Sequence, residues 1–269
     1  MTDVDGESER AVAQGYDAVY RAIPGAPALW QIWLDHAVGA DYPTEFSHIS
    51  FATLDELGWF AQTFHLTDGD TLVDLACGMG GPSLWMVSQF GGRVDGVDAS
   101  SVAVELATRR AARLGLGERS NFAVGTFGST GLPEAHADAV LSLDALQYAP
   151  NKSDAFREMA RILKPHHRLA FSAFEVLADR VSDVPVLGDD PIADYRPLLE
   201  QAGFAVEHYE QTPGWSDRLT RTYEAIVASG EALEHEMGAD AYGSLLLEVE
   251  ITLQRRPYRR RVKAVASRS

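Results

Sequence analysis

A chain of 269 residues, 46% of them hydrophobic, has the length for one large globular domain with a substantial cap. No apolar run approaches the ~20 residues of a membrane span, and the opening MTDVDGESER has no secretory pattern, so a cytoplasmic protein with no membrane partner is expected. The formal net charge of −16 disfavours a nucleic-acid partner, because phosphate binding rests mainly on Lys and Arg, and the single cysteine, Cys77, excludes an internal disulfide and a multi-cysteine metal site.

Residues 1–70 are predicted to be largely helical and rich in aromatic side chains, among them Tyr16, Tyr20, Trp30, Trp33, Tyr42, Phe46, Phe51, Trp59 and Phe60. From Thr71 onward strand and helix patterns alternate. TLVDLA (71–76) reads as a buried strand, and Pro82–Phe90 as a helix whose first turn tolerates proline because no N–H is needed there. RVDGVDA (93–99) is a second strand, and Ser101–Leu114 a helix capped by Ser100 or Ser101. Strands at Ser120–Val124 and Ala137–Leu143, a helix at Ser153–Leu163 and a strand at Arg168–Phe174 follow. PIADYRPLLEQAGFAVEHYEQT (191–212) reads as a helix stopped by Gly203 and then a sixth strand. Residues 214–256 form another helical stretch, and the basic end closes in a strand, Arg260–Ala266, with Val262, Ala264 and Ala266 inward. This order predicts a doubly wound α/β sheet. Its parts are an N-terminal helical cap (1–70), a core (71–213), a helical cap insertion (214–256) and a final core strand (257–269).

In such a sheet the first strand-to-helix turn carries the ligand, on backbone N–H groups and at a helix N-terminus. Here that turn is VDLACGMGGPS (73–83), and Asp98 closes the second strand, where a carboxylate accepts ribose hydroxyl hydrogens. Asp74 separates two readings of the turn. An acid there repels the pyrophosphate of a dinucleotide but attracts the ammonium of an amino-acid tail.

Asp74 to Gly80, Asp98, NFAVGTF (121–127), LPEAHADAVLSLDALQYAP (132–150) and AFREMARILKP (155–165) together resemble the ordered motifs of class I S-adenosylmethionine-dependent methyltransferases, small-molecule branch, whose members modify natural products and sugars. The resemblance covers about residues 66–212. It implies a mostly parallel, seven-stranded Rossmann-like sheet with an antiparallel last strand and helical caps, and S-adenosyl-L-methionine as cofactor. By the same resemblance Ala76, Cys77, Gly78 and Gly80 meet the methionine moiety, Asp98 with Ala99 the ribose, and Thr126 with Phe127 the adenine. Leu143 borders the cofactor and Asp144 the substrate. Ala76 stands where the family usually has glycine, and Thr126 where many members have aspartate.

The acceptor side is less defined. Gln147 and Tyr148 stand after strand four, where many relatives carry histidines, and are expected to touch substrate. His48, in the aromatic cap, and Glu175, at the end of strand five, are the acid–base candidates, with Tyr16 and Tyr20 closing over the cofactor. The His235-Glu236 pair lacks the second histidine of a zinc helix, so no metal site is expected. The expected function is methyl transfer to O, N or C of a small aromatic or apolar metabolite, by a protein that could form a homodimer through its cap. A nicotinamide-dependent oxidoreductase is the main alternative; Asp74 and the lack of a Tyr-x-x-x-Lys relay weigh against it. A non-catalytic cofactor-binding module is the other, disfavoured by the intact Asp74, Gly78, Gly80 and Asp98.

Overall fold

The structure is a computed structural model that describes residues 15–177 and 191–269. Helix α1, described over 15–22, and α2 (Pro27–Trp33) lead through short turns to α3 (Leu54–Phe64). The alternation then runs β1 (Thr71–Leu75), α4 (Gly81–Phe90), β2 (Arg93–Asp98), α5 (Ser101–Arg113), β3 (Ser120–Val124), β4 (Ala137–Leu143), α6 (Lys152–Ile162), β5 (Leu163–Val176), α7 (Arg196–Gln201) and β6 (Phe204–Gln211). Helices α8 (Trp215–Ala228), α9 (Gly230–Met237) and α10 (Ala239–Arg255) precede β7 (Arg259–Arg268).

The strands form one seven-stranded sheet in the order β3-β2-β1-β4-β5-β7-β6. β1 to β5 pair in parallel, and β7 runs antiparallel to both β5 and β6. Successive strand residues feed opposite faces, as the pleat requires. Leu72, Val94 and Leu141 join one core with α3, α4 and the helices of the caps. Val73, Val97 and Val140 join the other with α6 and α7. Helix α3 lies in the N-terminal segment read as a cap, yet it packs against α4 and β5 as a helix of the sheet layer.

Several boundaries differ from the sequence reading for local reasons. α6 starts one residue earlier because the Asn151 side chain accepts the Asp154 N–H at 3.1 Å and caps it. α7 is shorter than expected, since Ile192 is recruited to the end of β5 by accepting the Val176 N–H at 2.8 Å. β7 lies between two strands and contributes to the cores on both faces of the sheet: Val265 is buried as well as Ala264 and Ala266, and Arg261 is fully buried.

Arg261 is the charge on which the packing turns. Its Nη1 donates to Glu56 Oε1 at 2.6 Å and its Nε to Asp144 Oδ1 at 2.7 Å. Burial opposes the guanidinium charge, but Asp144 and Glu56 outweigh it and raise the pKa above the ordinary arginine value. Glu56 also completes the capping box of α3, its N–H reaching Thr53 Oγ1 at 3.3 Å. Arg261→Met is expected to cost about 3–5 kcal/mol, because it strands two buried carboxylates without their counter-ion. Urea unfolding followed by circular dichroism checks this, and a loss near zero would mean the cluster contributes no stability.

Candidate active site

A cavity of about 160 Å³ opens beyond the carboxyl ends of β1 and β4, where the chain's winding direction reverses and open α/β sheets bind ligands. Asp74, Ala76, Cys77, Gly78, Asp98, Ala99, Phe127 and Leu143, all expected at a cofactor, line it together with Tyr16 and Tyr20. Asp144, Gln147, Tyr148 and His48 line the same space.

The turn after β1 is built for close approach. Gly78 adopts φ +52, and a Cβ there would sit 3.2 Å from the Tyr20 hydroxyl. Its N–H donates to Asp98 Oδ2 at 2.8 Å, while Ser100 N–H reaches Asp98 Oδ1 at 2.8 Å. The carboxylate is thereby aimed into the cavity's edge with lone pairs to spare. Burial raises the Asp98 pKa, and these amide bonds pull it back. Asp74, 3% exposed, has its carboxyl pushed up to about 7 by burial, with the Ser83 side chain opposing and the Asp98 charge adding. Ala76 sits at φ +58, the left-handed conformation that costs a residue with a side chain about 1–2 kcal/mol. That is the position where the sequence departs from glycine. Among the described residues no lysine or arginine lines the cavity, a lining that suits an ammonium and a ribose and repels a pyrophosphate.

Helix α1 lies over this turn, with Tyr20 beside Gly78, and is tied to the loops after β4 and β2. The Tyr16 hydroxyl donates to the Tyr148 hydroxyl at 2.7 Å, and Ser100 Oγ donates to Asp17 Oδ1 at 2.5 Å.

Three expected residues are corrected. Gly80 is not part of the lining; it takes φ +70 at the start of α4, and a Cβ there would meet the Phe122 ring at 2.9 Å, so it serves packing. Thr126 is also outside, with its N–H and C=O both engaged by Ser129 at 3.0 and 3.2 Å, which leaves Phe127 to face the cavity. Glu175 is fully buried on β5 but points away from the cavity that its neighbour Phe174 lines, and pairs with Arg260 and the Tyr209 hydroxyl. Asp144 does line the cavity, yet its carboxylate is already committed: Oδ1 to Arg261, and Oδ2 to the Phe51 N–H at 2.8 Å.

His48 is 6% exposed and lies against the Tyr42 ring, 4.8 Å between centroids. The Ser50 N–H donates to its Nδ1 at 3.2 Å, which places the ring proton on Nε2, an atom without a hydrogen-bond partner among the described residues. Burial lowers the ring's pKa to about 3, with Asp144 opposing. A base so weak accepts no proton at neutral pH, so the base role expected of His48 does not fit; a neutral Nε2–H donor does.

Among the lining residues that sequence reading did not assign to the site are Tyr223, Phe51, Ser50 and Glu248. Glu248 was legible in principle: on α10 it falls on the inward stripe of Ala241, Leu245, Val249 and Thr252, where a lone acid is out of place.

Residues 73–171 match the methyltransferase domain family. The 27-O-demethylrifamycin SV methyltransferase of Amycolatopsis mediterranei is 28% identical over 240 residues, covering 83% of this chain and 85% of that one. The sterol 24-C-methyltransferase of Aspergillus fumigatus is 32% identical over 107 residues, 40% of this chain but only 28% of its own length. Among solved structures the cyclase SpnF superposes with a TM-score of 0.74 at 19% identity, over 97% of this chain and 96% of that one, a likeness of fold. No helix among the described residues is long and apolar enough to cross a membrane. Residues 73–171 thus form a methyltransferase domain, and the curated relatives and the acidic, phosphate-repelling cavity support an S-adenosylmethionine-dependent methyltransferase.

Proposed function

We propose that this methyltransferase acts in the cytoplasm on a small apolar or aromatic secondary metabolite, with residues 1–70 and 214–256 as caps over a core of 71–213 and 257–269. The observation that carries the reading is one cavity shared by Asp74 and Asp98 at one end and by the rings of Phe51, Tyr148, Phe174 and Tyr223 elsewhere. The relative named for methylating a demethylrifamycin supports a natural-product acceptor. A homodimer through the cap belongs to the same proposal, and nucleic acid does not.

When bound, the cofactor supplies a methyl group made electrophilic by its sulfonium. Asp74 holds the ammonium of the methionine end, the turn from Ala76 to Gly78 approaches that moiety, and Asp98 accepts the ribose hydroxyls. Ala99, Phe127 and Leu143 enclose the adenosine, and Tyr16 and Tyr20 exclude water from above. His48 donates from Nε2 to a polar atom of the acceptor and so orients it for in-line attack.

Asp74 makes cofactor affinity depend on pH. Its carboxyl is neutral below about pH 7, and an ammonium favours the ionised form. Affinity for S-adenosylhomocysteine should therefore be flat above about pH 7 and fall up to roughly tenfold per unit below it, with proton release on binding. Calorimetric titration in buffers of different ionisation enthalpy measures both. Binding of NADH in place of S-adenosylhomocysteine would overturn the reading, and a pH-independent affinity would remove Asp74 from the ammonium site.

His48→Ala should lower turnover by about tenfold, the value of a lost hydrogen bond to a buried group, at unchanged cofactor affinity. His48→Gln retains a donor at the Nε2 position and should stay within about threefold of wild type. A histidine base would be lost in both variants, so equal losses would restore that role.

A further inference from the structure

Glu248 makes the acceptor end of the cavity chemically specific. Its Oε1 accepts from the Tyr148 hydroxyl at 3.5 Å and the Tyr223 hydroxyl at 3.4 Å, and it forms no ion pair among the described residues. Gln147, 9% exposed and lining the same space, has its Nε2 held by the Asp144 carbonyl while Oε1 has no hydrogen-bond partner among the described residues. A carboxylate met by neutral tyrosine hydroxyls and an amide oxygen without a partner among the described residues thus share a space with aromatic rings. The acids lining the cavity are Asp74, Asp98, Asp144 and Glu248. Arg261 neutralises Asp144, and the cofactor's ammonium and ribose account for Asp74 and Asp98. Glu248 is the surplus negative charge. Arg259 acts on it only from outside the lining, stacked 5.6 Å from the Phe174 centroid.

A protonated amine satisfies all of this at once. It brings N–H donors for Glu248 and Gln147, a positive charge for the carboxylate, and a cation for the faces of Tyr148 and Tyr223. An anionic acceptor finds no counter-ion in this lining. We propose that this end of the cavity is a site for a protonated primary or secondary alkylamine, with Glu248 as counter-ion and proton acceptor and Gln147 as second hydrogen-bond acceptor, so that the methylated atom is nitrogen. The proposal rests on the methyl-transfer reading, which assigns Asp74 and Asp98. The ammonium gives one proton to Glu248, and the freed lone pair forms the nitrogen–methyl bond. The carbon–sulfur bond breaks with its electrons kept by sulfur. The methylated nitrogen leaves as an ammonium, and Glu248 returns its proton to solvent. Burial raises the Glu248 pKa above the ordinary value while Tyr16, Arg259, Tyr223 and Tyr148 oppose, a direction that suits a group that must hold a proton in passing.

The test uses the chain loaded with S-adenosylhomocysteine, titrated calorimetrically with N-methylbenzylamine, with its neutral isostere benzyl methyl ether, and with phenylacetate. The amine should bind about tenfold tighter than the ether or better, and phenylacetate should not bind, as expected for a desolvated cation facing a carboxylate and aromatic rings. Glu248→Gln should erase the preference while S-adenosylhomocysteine affinity stays at wild type, which also shows that the variant folds. Equal affinity for amine and ether, no amine binding at millimolar concentration, or a preference that survives in Glu248→Gln each overturns the proposal. Failure of S-adenosylhomocysteine itself to bind appears before any amine is added; it sinks the methyl-transfer reading, and the amine site with it.

Discussion

A single buried guanidinium holds the pieces of this site in register. Arg261 sits within the sheet on β7 and reaches Glu56 at the start of α3 and Asp144 just past β4. Asp144 in turn accepts the Phe51 N–H, which fixes the segment that carries His48 and Ser50. Asp144 itself adopts φ +52, a left-handed conformation that aspartate tolerates better than most residues. The ion cluster is therefore the clamp between the part of the cavity built on β1 and β2 and the part lined by the N-terminal segment and by Tyr223 and Glu248 of α8 and α10. A buried ion pair gains little over well-packed apolar groups, so its value here lies in the geometry it imposes.

The electrostatics of the cavity follow from which carboxylates that clamp neutralises and which it leaves. Asp144 is paired and spent; Asp74 and Asp98 are buried without a basic partner. Such groups are costly unless a ligand brings the opposite charge or hydrogen-bond donors. A site with this lining therefore selects by charge before it selects by shape. The likeness to SpnF, a cyclase, is a reminder that the fold alone leaves the reaction open; the placement of charges narrows it.

Most of the fold was readable because its strands are short apolar runs with strict neighbours. β3 and β4 fall on their expected residues, and of the two serines offered as the cap of α5 it is Ser100 that caps it. The turn after β1 was equally legible as a cavity wall, since Asp74, Gly78 and Asp98 meet through local backbone geometry that spacing alone implies. What failed depended on distant pairings. Nothing near Glu175 in sequence announces Arg260 and Tyr209, which turn it into a buried structural acid. Nothing near Thr126 shows that Ser129 folds back on it, although a glycine–serine turn follows. His48 lay in the right place, but its tautomer is set by one backbone N–H that no pattern encodes. Glu248 was hidden for a different reason: a helix of unknown docking partner gives no sign of what its one inward acid meets.

The strand order has a consequence for how such a molecule is made. β7 comes last among the strands yet lies between β5 and β6, and among the described residues β6 hydrogen-bonds to no other strand. A chain emerging from the ribosome thus holds β6 without a partner until residues 259–268 arrive, and pairing at that sequence separation is slow. Arg261 arrives in the same segment, so Glu56 and Asp144 meet their counter-ion only when the sheet closes. Closing the sheet and fixing the Asp144 side of the cavity are then one event, and a nascent chain in which the turn after β1 has already formed still lacks the other wall of its cavity.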